Sequence, residues 1–167
     1  MRILGVDPGT LATGWGVIDV AGRALTHVEH GVIRTRADQP LWVRLEAIHA
    51  ALSEVIARLV PAELSLEQCF VSKNVQSALK LGHTRGAIMI AASSGRLVIA
   101  EYTASQIKAT VGGGGRASKE QMQEMVRMQL RLGQLAPEDA SDALAAAICH
   151  AQAFAFNRAL AGARGGR

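Results

Sequence analysis

Arg2-Ile3-Leu4-Gly5-Val6-Asp7-Pro8-Gly9-Thr10 decides the fold. Ile3, Leu4 and Val6 form a short apolar run suited to a strand covered on both faces. Pro8-Gly9 ends that strand in a tight turn. Asp7 is therefore held at the end of a rigid, buried element, where a lone carboxylate is costly to desolvate and needs a partner. The alternative is that Asp7 only caps its own turn.

Working outward, Thr13–Val20 reads as a second strand, Ala21-Gly22-Arg23 as a hairpin turn and Leu25–Ile33 as a third strand. Their close spacing predicts an antiparallel meander. Pro40 opens a helix whose apolar stripe is Leu41, Leu45, Ile48, Leu52, Val55, Ile56 and Leu59, with Arg44, Glu54 and Arg58 outside it; Pro61 stops it. Leu64–Val71 is a fourth strand, placed parallel to a neighbour by the helical crossover. Asn74 caps a helix to Ser94, and Leu97–Tyr102 is a fifth strand. Thr103–Val111 is helical. Ser118 and Gln121 form a capping box for a helix to about Leu132. Pro137 starts a last helix to about Phe156. Gly82 and Gly86 share a helix face, for close contact either with the sheet or with a second subunit. The order predicts a mixed five-stranded α/β sheet, a three-strand antiparallel meander plus parallel strands, with helices on both faces.

The 167 residues fit one domain, residues 1–157, followed by a disordered Gly/Ala/Arg tail over 158–167. Aromatics make up only 4% of the chain, so the core must be Ala, Leu, Val and Ile. The net charge of +4 permits a polyanionic partner without demanding one. Cys69 and Cys149 lack any CxxC spacing and read as buried free thiols of a reducing compartment. The absence of a charged-then-apolar leader and of an apolar run of transmembrane length predicts a cytoplasmic protein with no membrane partner.

Three further acids are candidates to meet Asp7. Glu67 interrupts an apolar strand and shares a face with Ser65 and Cys69; the alternative is an acid at an exposed strand end paired to an arginine. Asp139 and Asp142 lie three apart on one face at the start of the last helix. Four carboxylates at one spot repel one another, and hard divalent cations relieve that. With all-oxygen ligands the expected cofactor is Mg²⁺, with Mn²⁺ as substitute, and two ions about 4 Å apart suit phosphodiester hydrolysis.

The sequence resembles the RuvC family of Holliday junction resolvases over nearly its whole length apart from the tail. The resemblance is carried by Gly5-Val6-Asp7-Pro8-Gly9-Thr10 with Thr13-Gly14-Trp15-Gly16, and by Leu66-Glu67-Gln68-Cys69-Phe70-Val71 with Lys73-Asn74. It continues in Ser77–Gly82 with Arg85-Gly86, in Tyr102-Thr103-Ala104 with Gln106-Ile107-Lys108, and in Asp139–Ala145. It implies a ribonuclease H-like fold and a homodimer that nicks a four-way DNA junction symmetrically. It implies catalytic, metal-binding roles for Asp7, Glu67, Asp139 and Asp142, and contact of Phe70 with unpaired bases. Lys108 and Lys119 match basic positions near the scissile phosphate. Asn74, Lys80 and Arg85 are expected at phosphates, and RuvA and RuvB as partners. Three departures stand out: His83-Thr84, the plain Gly112–Gly115 run, and Ser141 between the two acids. The competing readings are a nucleotide-binding module of the actin-like kind, a junction-binding protein without catalysis, and an RNA-processing nuclease of the YqgF type.

Overall fold

The computed structural model describes residues 1–68, 74–114 and 117–164, with side chains to residue 154. Five strands form one sheet in the order β3-β2-β1-β4-β5. They are β1 (Arg2–Asp7), β2 (Ala12–Ala21), β3 (Ala24–Arg34), β4 (Glu63–Gln68) and β5 (Val98–Thr103). The first three form the expected antiparallel meander, and β4 and β5 run parallel to β1. The helices are α1 (Leu41–Leu59), α2 (Val75–Ser94), α3 (Ala104–Gly112), α4 (Lys119–Leu130) and α5 (Glu138–Arg164).

Strand alternation divides the core into two layers. Leu4, Val6, Trp15, Val17, Leu64 and Leu66 face α1 and α2. Ile3 and Ile18 face the other way, onto α5, α4 and α3. β1 is buried on both sides because helices cover both faces of the sheet. Local signals set the helix ends. The Asn74 side chain accepts from the Ser77 amide, and the Ser118–Gln121 capping box is present. A second box, Thr103 with Gln106, opens α3.

Three expectations change. Arg44, set outside the apolar stripe of α1, is buried, because its guanidinium serves the β1–β2 loop from within. A Cβ built on Gly82 or Gly86 would meet nothing within 4 Å, so neither glycine serves contact with the sheet. α5 is helical to Arg164, past the end expected near Phe156; its Ala-rich continuation favours helix. Cys149 is buried and free, whereas Cys69 and Phe70 lie outside the described residues. No helix among the described residues is long and apolar enough to cross a membrane.

Candidate active site

The carboxyl ends of the parallel strands β1 and β4 lie side by side. Val6 pairs with Leu66, which sets Asp7 beside Glu67 at the carboxyl ends of two interior strands. Both side chains project toward α5, because Gly5 on β1 and Ser65 on β4, two residues back, also face α5. The first turns of α5 bring in Asp139 and Asp142. Close approach of that helix depends on missing side chains. A Cβ on Gly5 would lie 2.0 Å from the Ala143 carbonyl oxygen, and one on Gly16 would lie 2.5 Å from the Leu144 side chain.

Asp7, Glu67 and Asp142 line one cleft of about 280 Å³ together with Lys108, Lys119, Ala104, Ile107 and Met122. Asp139 is not among the lining residues, although its charge acts on both Asp7 and Asp142. Burial pushes the Asp7 carboxyl up to about 8, reinforced by the charges of Glu67, Asp142 and Asp139 and opposed by Lys119. Glu67 is also raised, first by burial and then by Asp142, with Lys108 and Arg85 pulling it back. Asp142 is raised by burial against the pull of Lys119. Among the described residues, no three His, Cys, Asp or Glu side chains are drawn close enough to grip an ion as they stand. Asp7, Glu67 and Asp142 nevertheless share the cleft closely enough for their charges to act on one another.

The loop after β1 is fixed from behind. Arg44 Nη2 donates to the Thr10 carbonyl at 2.6 Å, and Arg44 Nε donates to the Thr35 hydroxyl at 3.2 Å. The Thr35 hydroxyl donates to the same Thr10 carbonyl at 2.6 Å, and the Thr13 hydroxyl donates to the Gly9 carbonyl at 2.7 Å. Arg44 stands at helical spacing from Ile48, Leu52, Val55 and Leu59 on the buried face, so its position marked it and only its charge set it apart from the stripe.

The basic candidates separate. Lys108 and Lys119 are exposed at the cleft, and Lys119 also forms an ion pair with Glu138. Arg85 donates to the Glu67 carbonyl oxygen and to the Glu101 carboxylate, so it braces the end of β4. Lys80 is exposed on α2, and Asn74 caps that helix. Glu138 and Glu101 were not foreseen; their partners come from distant elements and no local spacing marks them.

Residues 3–150 match the family described as "Crossover junction endodeoxyribonuclease RuvC". The chain belongs to the RuvC family. It is 54% identical over 157 residues to the crossover junction endodeoxyribonuclease RuvC of Syntrophotalea carbinolica, covering 94% of this chain and 98% of that one. A solved structure of T. thermophilus RuvC in complex with Holliday junction substrate superposes with a TM-score of 0.89 at 32% identity, covering 94% of this chain and 96% of that one. The yeast mitochondrial Holliday junction resolvase Ydc2 shares the fold at a TM-score of 0.65 and 9% identity, covering 93% of this chain and 82% of that one.

Proposed function

We propose that this chain is a structure-selective endonuclease that resolves four-way DNA junctions by paired symmetric nicks in recombination and repair. The observation that carries this is the convergence of Asp7, Glu67 and Asp142 on one cleft between Lys108 and Lys119, in a RuvC family chain.

The donor set fits a hard divalent cation. The ligand atoms are carboxylate oxygens, and burial among like charges makes ionised Asp7 costly until positive charge arrives. Asp7, Glu67, Asp139 and Asp142 would hold Mg²⁺, two ions per site, with Mn²⁺ as substitute. When bound, such ions supply a water of lowered pKa and charge at the leaving oxygen. Lys108 and Lys119 hold positive charge at the mouth of the cleft, where it orients a phosphate and steadies its developing charge. Arg44 and the Thr10 carbonyl keep the turn after Asp7 rigid, so that this carboxylate keeps its direction.

Symmetric nicking requires two sites, hence a homodimer. The outward face of α2 supports one. Val75, Leu79 and Ile90 are 65%, 53% and 60% exposed, and Gly82 and Gly86 leave open space between them. An apolar stripe of that kind on a surface helix fits a second copy of the chain. RuvA and RuvB are assigned as partners, and the cytoplasm as the compartment, on family grounds.

The test is nicking of a synthetic four-way junction and of a matched linear duplex, with Mg²⁺ or EDTA, by wild type and Asp7→Asn. Mg²⁺-dependent nicking of the junction alone, lost in the variant, is expected. Equal cleavage by both proteins would remove the role given to Asp7.

A further inference from the structure

The positions of β4 that face α5 meet it in a regular series. Glu63 accepts from His150 Nε2 at 2.5 Å. The Ser65 hydroxyl donates to the Ala146 carbonyl at 2.7 Å. Glu67 shares the acidic cleft with Asp142. The strand advances two residues per step, about 6.6 Å. The helix, running the opposite way, advances four, about 6 Å. The two periods match, so three rungs stack in line and the last consists of two of the proposed catalytic acids.

Besides the seat of Leu144 on Gly16, the contact of α5 with the centre of the sheet does little to hold this alignment. Ala143, Ala147 and Ala151 succeed one another at four-residue spacing on α5, all buried. Sliding the helix by four residues replaces alanine by alanine against the Gly5 bed, so packing at that point is nearly degenerate. The same slide, about 6 Å, would put Ala146 or Glu138 where Asp142 stands and break both polar rungs. Ser65 is fully buried and His150 is 6% exposed, so neither would find water in exchange. The outer rung is itself held. The Glu63 carboxylate only accepts, so His150 Nε2 carries the proton, and in the neutral ring Nδ1 accepts from the Tyr102 hydroxyl at 2.8 Å. Tyr102 is the β5 residue paired with Glu67.

We propose that Glu63, Ser65 and His150 are positioning residues that fix the axial register of α5 on β4 and thereby place Asp142 opposite Glu67. This rests on the reading of that acid pair as a metal-dependent nuclease site. None of the three touches the reacting atoms; they act through the helix.

The experiment compares wild type, His150→Leu, His150→Gln and Ser65→Ala as full-length proteins. Mn²⁺ affinity is read from the spectrum of free Mn²⁺, junction affinity is measured in EDTA, and kcat and KM are measured for junction nicking. His150→Leu should weaken Mn²⁺ binding and lower kcat by about tenfold each, the scale on which residues supporting metal ligands act. Junction affinity in EDTA and KM should stay within about twofold, because the DNA-facing surface is untouched. His150→Gln keeps a donor for Glu63 and an acceptor for Tyr102, and should return to within about threefold of wild type. A folded His150→Leu with wild-type Mn²⁺ affinity and kcat overturns the proposal, as does a His150→Gln no better than His150→Leu. Where His150→Leu does not fold, Ser65→Ala decides: at least about threefold weaker Mn²⁺ binding supports the ladder, and unchanged binding overturns it. A wild type that binds Mn²⁺ without nicking junctions defeats the nuclease reading, while the Mn²⁺ affinities still judge the ladder. A wild type that binds no Mn²⁺ defeats both.

Discussion

Gly14 faces the backbone of Asp139 so closely that a Cβ on Gly14 would lie 1.8 Å from the Asp139 carbonyl oxygen. Gly14 is also the β2 partner of Asp7. One glycine thus sets the height of the acidic helix turn above the strand that carries the first acid.

Gly14→Ala forces that turn of α5 away from the sheet. The clash is with backbone, which relaxes poorly, so a loss of about 2 kcal/mol or more in stability is expected. A displacement of the acids by about 1 Å should cut junction nicking by about a hundredfold. Urea denaturation together with single-turnover cleavage checks both.

Asp7→Asn should leave the metal-free protein more stable than wild type. The folded-state pKa of Asp7 is about 8, above its ordinary 3.8. The folded state therefore holds an extra proton between those values, and wild type loses stability as pH rises from about 4 to about 8. Each unit of separation is worth about 1.4 kcal/mol. The variant's advantage should be several kcal/mol at pH 8 and should shrink steadily toward pH 4, as read from urea midpoints in EDTA. Mg²⁺ should reverse the order by stabilising wild type alone. Below about pH 8, Mg²⁺ binding should also release a proton, which calorimetry in buffers of different ionisation heat detects.

Arg44→Leu removes two donors from the Thr10 carbonyl and the Thr35 hydroxyl. A buried acceptor left short of its donors costs about 2 kcal/mol. Arg44→Lys supplies one point donor in place of a fork and should recover only part of this. Thermal midpoints of the three proteins, measured side by side, give the comparison.

Much of the fold could be read along the chain because its signals are local. Asp7-Pro8-Gly9 ends a strand wherever it stands, and Ser118 with Gln121 caps a helix on its own. The acids were findable because Glu67 breaks an apolar strand and Asp139 with Asp142 repeat at helical spacing. What escaped depends on pairs far apart in sequence. Arg44 reaches Thr10 across 34 residues, and His150 reaches Glu63 across 87. The bed of Gly5, Gly14 and Gly16 has meaning only once α5 lies on it. Gly82 and Gly86 show the converse: their spacing was legible, but only the structure shows that they face open space.

Leu79→Glu or Ile90→Glu places a charge on the exposed face of α2. Light scattering should show a dimer for wild type and a monomer for either variant, with unchanged helix content. Junction affinity should fall with the loss of the second site.

The most direct test is Mn²⁺ soaked into crystals of the full chain and located by anomalous scattering. The expected peak lies in the cleft within about 2.2 Å of a carboxylate oxygen of Asp7 and of oxygens from at least one of Glu67, Asp139 and Asp142. Mn²⁺ bound elsewhere, with the cleft empty and the Glu67 carboxylate turned away from Asp7, would contradict the account.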